Sequence, residues 1–198
     1  MKRLVVFASG SGSNFKAIYN NIKEQKIENA KIELLVSNNS NSDSVSFAKK
    51  NSINTFIVNK KTHPNRLAYI KSLNDRLLSC KPDLIILAGY MKLIPKEVVE
   101  VFNNKIINIH PGKLPEFGGK GFYGMNVHNA VISSKVKSTA VTIHYVNEEY
   151  DKGLTIHEEP IEVYKDDTAE SLSKRVLSYE HKLYSRIINQ LINKDENE

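Results

Sequence analysis

Residues 3–14 read RLVVFASGSGSN, and this stretch decides the fold. From Leu4 to Ala8 the chain is apolar without a break. A strand with one wet face would alternate, so this one is expected to be covered on both sides. The run ends in a Ser-Gly-Ser-Gly segment, where the backbone can turn sharply. Over residues 14–25 the apolar period changes, and Phe15, Ile18, Tyr19 and Ile22 fall on one helical face. A buried strand, a glycine turn and an amphipathic helix make the first unit of a parallel β-α-β sheet.

The alternation continues along the chain. Strands are expected at 31–36 (KIELLV), 55–58, 83–88 (DLIILA, entered at Pro82) and 105–109. Helices are expected at 44–50 and 65–80, the second with Leu67, Ile70, Leu73 and Leu77 facing inward. The last third differs. Residues 137–146 (KSTAVTIHYV) and 154–163 (LTIHEEPIEV) read as two long strands. The short NEEYDKG turn between them makes an antiparallel pair. A closing helix over about 168–193 carries Leu172, Val176, Leu183, Ile187 and Leu191 as its stripe, with Asp167 and Glu170 as a capping box. The expected fold is α/β: a Rossmann-like three-layer sandwich, mostly parallel, with an antiparallel strand near the C-terminus and a long closing helix. One domain is expected to span residues 1–198.

Apolar residues are 40% and charged residues 25% of the 198, a balance that supports a buried core rather than a disordered chain. The single cysteine, Cys80, excludes an intrachain disulfide and a cysteine-based zinc site. The apolar N-terminal run is too short for a signal peptide, and no stretch approaches a membrane span. A cytoplasmic protein with no membrane partner is expected. The formal charge of +6 is scattered, with no alternation of basic and aromatic residues, which argues against a nucleic-acid partner. A modest positive field also attracts a small anionic substrate.

Open α/β sheets bind ligands beyond the carboxyl ends of their strands. Three segments should share that rim: Ser9 to Asn14, Gly89 to Pro95, and Asn108 to Pro111. The first is either a tight turn capped by Ser13 or Asn14, or an anion cradle at a helix N-terminus. It is not a Walker loop, because no Gly-Lys-Ser/Thr follows. Phe15 replaces the third glycine of the dinucleotide fingerprint, and Ser37-Asn38-Asn39 stands where an acid is needed, which disfavours an NAD-linked dehydrogenase. Asn108 and His110 lie two apart on a strand and so point to one side. A carboxamide suits a developing oxyanion, and a histidine can exchange a proton near neutral pH. The loop over 111–124 is long enough to be a lid or binding loop. Asp151 is a turn former unless its turn reaches the same rim, where a carboxylate would raise the pKa of His110. His144 reads as a structural strand residue. Glu180 borders the apolar stripe of the closing helix, as a rim charge or as a ligand contact.

Taken together, GSGSN after the first strand, LAGYMKLIP after the fourth, INIHPGKLP after the fifth and the late Asp-x-Gly turn resemble the folate-dependent formyltransferases. The likeness runs from Lys2 to about Ile192. It implies transfer of a formyl group from 10-formyltetrahydrofolate to the amine of glycinamide ribonucleotide in purine synthesis. It further implies a phosphate-binding half over about 1–100, a catalytic and folate-binding half over about 101–198, small-molecule partners, no metal, and a monomer or homodimer. Asn108, His110 and Asp151 match the catalytic residues. Gly12, Ser13 and Asn14 match the phosphate segment, and Glu180 a glutamate near the ribose. Arg66, Met91, Lys92, Leu93 and Ile94 match folate contacts, together with Asn108 and the turn residues Val146, Asn147 and Tyr150. Lys92 departs from a common Arg, Lys152 from a common Gly, and FGGKGFYGMN varies in the family. Another amine acceptor, a formyltetrahydrofolate hydrolase and a non-catalytic phosphate-ligand module are the rival readings. The tRNA-formylating relatives would need added sequence for tRNA, and the hydrolase usually carries an extra N-terminal domain.

Overall fold

A computed structural model describes residues 1–194, and its strands form one seven-stranded sheet. β1 (Lys2–Phe7), β2 (Ala30–Ser37), β3 (Thr55–Ile57), β4 (Leu84–Leu87) and β5 (Ile106–His110) run parallel. β6 (Ser138–Tyr145) and β7 (Thr155–Glu162) complete the sheet, each antiparallel to the strand before it. The helices are α1 (Ser13–Lys23), α2 (Asp43–Lys50), α3 (Arg66–Cys80), α4 (Lys96–Val101), α5 (Met125–Ser133) and α6 (Ala169–Ile192). Among the described residues no helix is long and apolar enough to cross a membrane.

Alternate residues of β1 feed two cores. Leu4, Val6 and Ala8 pack with Phe15 and Ile18 of α1, Val127 and Val131 of α5, and Leu172 and Val176 of α6. Val5 and Phe7 pack on the other face with Leu73 and Leu77 of α3 and Val98 of α4. This double burial explains the unbroken apolar run in the sequence. β7 lies at the sheet edge, the position where Pro160 costs no ladder bond.

Several sequence expectations need correction. Leu67 is 72% exposed, although Ile70, Leu73 and Leu77 on the same stripe are buried. Periodicity marks the stripe but not how far the core extends beneath it. The capping box of α6 is Thr168 with Ser171, one residue later than expected. Asp167 instead accepts from Tyr164 N–H at 2.8 Å and from the Ser171 hydroxyl at 2.7 Å, and pairs with Arg175. Two short helices, α4 and α5, lie outside the elements expected from the sequence.

The strand order β3-β2-β1-β4-β5-β6-β7 reverses direction between β1 and β4. Connections leave β1 and β4 toward opposite edges, and the crevice between them is the ligand-binding position of such sheets. Tyr184 of α6, fully buried, donates its hydroxyl to Leu87 O at 3.0 Å and Ile107 O at 3.2 Å. That contact fixes α6 over the ends of β4 and β5 and sets Glu180, one turn earlier, beside the crevice.

Candidate active site

A cavity of about 840 Å³ opens at this switch point. Its walls come from the loops after β1, β4 and β5, from residues 119–125, from α5, from the β6–β7 turn and from α6.

At one end stands the N-terminus of α1. Gly12 occupies the N-cap position with φ 68°, and no side chain caps the helix. Ser13 and Asn14 therefore do not cap it, contrary to one reading of the sequence. A Cβ on Gly12 would lie 2.7 Å from Ser44 Cβ, so both the turn and the packing require glycine. The first turn is thus uncapped where Gly12, Ser13 and Asn14 line the cavity, an arrangement that suits an anion. Asn14 is buried, donates Nδ2–H to Glu180 Oε2 at 2.7 Å, and leaves its Oδ1 without a partner. Burial pushes the Glu180 carboxyl up to about 7, with the Asn14 hydrogen bond opposing the rise.

Midway along the cavity the structure brings together Asn108, His110 and Asp151, separated by up to 43 positions in the chain. His110 Nε2 lies 2.7 Å from Phe117 O, so it carries a proton and donates. His110 Nδ1 is 3.5 Å from Asp151 Oδ2. Asp151 also accepts from Gly119 N–H at 3.0 Å and from Asn108 Nδ2 at 3.4 Å. Burial lowers the pKa of His110 and outweighs the opposite pull of Asp151 and the Phe117 carbonyl. The expected net rise is thus reversed: the carboxylate acts in the anticipated direction, but desolvation is larger. Burial alone would raise Asp151, yet His144, His110 and the Gly119 N–H together hold it below its ordinary value.

The β6–β7 turn delivers Asp151 by an unusual backbone. Asp151 itself adopts φ 55°, a left-handed conformation that Asp tolerates better than most residues. Lys152 does not, so Lys in place of a common Gly introduces no positive-φ strain; its ammonium pairs with Glu149 at 2.8 Å. Gly153 is the residue with no alternative, because a Cβ there would lie 1.7 Å from Tyr145 O.

The 111–124 loop is tied to this cluster rather than free of it. Phe117 O and Gly119 N–H are partners of His110 and Asp151, Phe117 is buried, and Thr142 Oγ1 donates to Gly112 O at 2.9 Å.

Met91, Lys92, Leu93, Ile94, Val146 and Tyr150 line another part of the wall, and Leu93 N–H donates to the Tyr150 hydroxyl at 3.1 Å. Two expected contacts are not brought to the cavity. Arg66 is exposed at the start of α3 and forks the Glu97 carboxylate at 2.8 and 3.2 Å. Asn147 turns inward on its own loop and accepts from Glu149 N–H at 3.0 Å. Both are polar residues beside the rim whose local partners won. Conversely, the sequence misses His144. It stands directly across from Asn108 in the β5–β6 ladder, 3.2 Å from the Asn108 amide and 3.5 Å from Asp151. Two-residue alternation with Thr142 could have placed it on that face; it could not have named its partners. His128 of α5 also lines the cavity, buried, with Nδ1 unpartnered. Among the described residues no group of three or more His, Cys, Asp or Glu could hold a metal ion.

This geometry has relatives. The formyl transferase family model matches residues 2–188. A chloroplastic phosphoribosylglycinamide formyltransferase of Arabidopsis thaliana is 43% identical over 188 residues, covering 94% of this chain and 64% of that protein. The chain thus spans under two thirds of that plant relative, and 61% of a similar one from Vigna unguiculata. The Bacillus subtilis phosphoribosylglycinamide formyltransferase is 36% identical over 192 residues, covering 97% of this chain and 95% of that one. The crystal structure of the Bacillus halodurans phosphoribosylglycinamide formyltransferase superposes with a TM-score of 0.90 at 34% identity, over 99% of this chain and 98% of that one. The chain belongs to the formyl transferase family.

Proposed function

We propose that this protein transfers the formyl group of 10-formyltetrahydrofolate to the amine of glycinamide ribonucleotide, giving the N-formyl product and tetrahydrofolate in purine synthesis. The observation that carries the reading is one continuous cavity. It is lined together by an uncapped helix N-terminus, an amide-imidazole-carboxylate cluster and the Met91–Ile94 wall. In this reading a phosphate takes the helix N-terminus, a pterin ring the Met91–Ile94 wall, and the reacting carbon the cluster. The curated relatives carry the name of this activity.

In this reading Gly12, Ser13 and Asn14 bind the phosphate by backbone N–H groups, and Glu180 faces the ribose. Met91, Lys92, Leu93, Ile94, Val146 and Tyr150 hold the folate; Arg66 and Asn147 serve a part of it that reaches over the rim. The substrate amine attacks the formyl carbon, forming the new C–N bond and placing negative charge on the formyl oxygen. An N–H of Asn108 stabilises that oxygen. The lowered His110 pKa favours an imidazole that holds its Nε2 proton on Phe117 O and leaves Nδ1, beside Asp151, to take the amine proton. Asp151 stabilises the imidazolium as it forms. The proton then passes to the folate N10 as the C–N10 bond breaks, directly or through a water held by Asp151, and the balance closes without a metal.

The test is to mix the protein with glycinamide ribonucleotide and a 10-formyl folate and to follow deformylation by absorbance. Deformylation should require the ribonucleotide. Equal deformylation without it would assign a hydrolase instead, and none with either mixture would reject the family's chemistry for this chain.

A further inference from the structure

We infer that His144 is a positioning residue: its imidazole holds one N–H of the Asn108 carboxamide so that the other is aimed at the formyl oxygen. The inference rests on the formyl-transfer reading above and concerns how the oxyanion donor is kept in register.

His144 is buried on β6, directly opposite Asn108. Opposed residues of an antiparallel pair bring their side chains close on one face. A buried imidazole is costly unless its nitrogens find partners. Nδ1 lies 2.8 Å from Tyr145 O, an atom that can only accept, so Nδ1 carries the proton. Nε2 faces Asn108 Nδ2 at 3.2 Å and Asp151 Oδ1 at 3.5 Å; the tautomer with its proton on Nδ1 lets Nε2 accept from the nearer of the two, the amide. The second atom beside that amide nitrogen, Asp151 Oδ1 at 3.4 Å, is also an acceptor.

Both neighbours therefore select the same orientation of the carboxamide. Turning it over would set Asn108 Oδ1 against a lone pair and a carboxylate, and would leave two buried acceptors unpaired. The two N–H groups are not equivalent. One meets a neutral ring that is itself locked to the backbone. The other makes the longer contact, to a carboxylate that also serves Gly119 and His110. With the first held by the ring, the second N–H of this planar group keeps its direction, toward Asp151 Oδ1 and the cavity that both residues line, where an arriving carbonyl oxygen can take that bond over.

Two substitutions separate the acceptor from the bulk. In His144→Asn the side-chain amide still reaches Tyr145 O, but no acceptor stands at the Nε2 position. In His144→Gln the longer side chain can place its carbonyl oxygen there. His144→Asn should lower kcat about tenfold or more while KM for the formyl folate stays within about twofold, because the lost interaction acts in the transition state. His144→Gln should recover most of kcat. In an Asn108→Ala background, His144→Asn should cost less than about twofold further, since the group it positions is gone. An equal loss in both backgrounds, or a Gln variant no better than Asn, would overturn the inference. Should the Asn variant not fold, nitrogen-15 NMR of the wild-type imidazole reads the same claim without turnover. Nδ1 protonated and Nε2 unprotonated is expected. A protonated Nε2 at neutral pH would overturn the inference while formyl transfer stands. A wild-type protein without formyl transfer would remove the functional reading, and this inference with it.

Discussion

Two regions of the cavity wall, the α1 end and the β5–β6 end of the sheet rim, are made from different materials. The α1 end is backbone: a glycine turn, an uncapped first turn and packing against Ser44. The β5–β6 end is side chain: an amide, two imidazoles and a carboxylate, drawn from two strands and a turn. Backbone donors bind a permanent anion without titrating. Side chains that gain and lose protons suit a charge that appears only during reaction. Under the proposed function the division assigns binding to one region and turnover to the other, and each substitution below should respect it.

The largest effect is expected at the side-chain end. Asn108→Ala should reduce kcat by about a hundredfold or more, on the order of 3 kcal/mol for one oxyanion donor, with ribonucleotide KM nearly unchanged. Steady-state kinetics on both substrates reads it; near wild-type turnover would remove Asn108 from the chemistry.

Glu180 lies on the seam, an α6 carboxyl bonded to Asn14 of the backbone end. Its folded pKa is raised from 4.5 to about 7, so between these values the folded state holds more protons than the unfolded one. Stability contributed by this group is therefore greatest at low pH and falls as pH rises toward 7. Glu180→Gln should raise the thermal midpoint at pH 8, by a relief of at most about 3 kcal/mol, and have no such benefit below about pH 4. A destabilised variant at pH 8 would show that the carboxylate is better compensated than its single hydrogen bond indicates.

Gly12→Ala should raise ribonucleotide KM about tenfold or more and leave kcat within a few-fold, as it disturbs uniform binding rather than the reacting centre. A kcat loss larger than the KM change would mean that the cradle and the cluster are not separable. The smallest effect is a shift of profile. With a neutral His110 as base, activity falls on the acid side with a midpoint below the ordinary imidazole value of 6.5. Asp151→Asn removes a charge that raises this pKa, so in whatever activity remains the acid limb should move to still lower pH. An unmoved limb would say that His110 and Asp151 do not couple.

What the sequence makes legible follows the same division. Unbroken apolar runs and glycine turns are local signals, so β1, β4 and the rim they share can be read directly. The sum of opposing effects cannot. Asp151 was read as able to raise His110, but the depth at which β5 ends, and hence the desolvation that prevails, is a property of the packed sheet. His144 looks like any alternating strand residue until β6 is paired in register with β5. Arg66 matches a family position, yet Glu97, 31 residues away, captures it in this chain. Leu67 is misread because the stripe is local, but what lies beneath it is not.

The most direct measurement is the ratio of kcat/KM for glycinamide ribonucleotide to that for its dephosphorylated riboside, in wild type, Gly12→Ala and Asn108→Ala. A large ratio in wild type, much reduced by Gly12→Ala and preserved by Asn108→Ala at far lower turnover, is the predicted pattern. A ratio that survives Gly12→Ala, or collapses in Asn108→Ala, would contradict the division of labour between backbone and side chains.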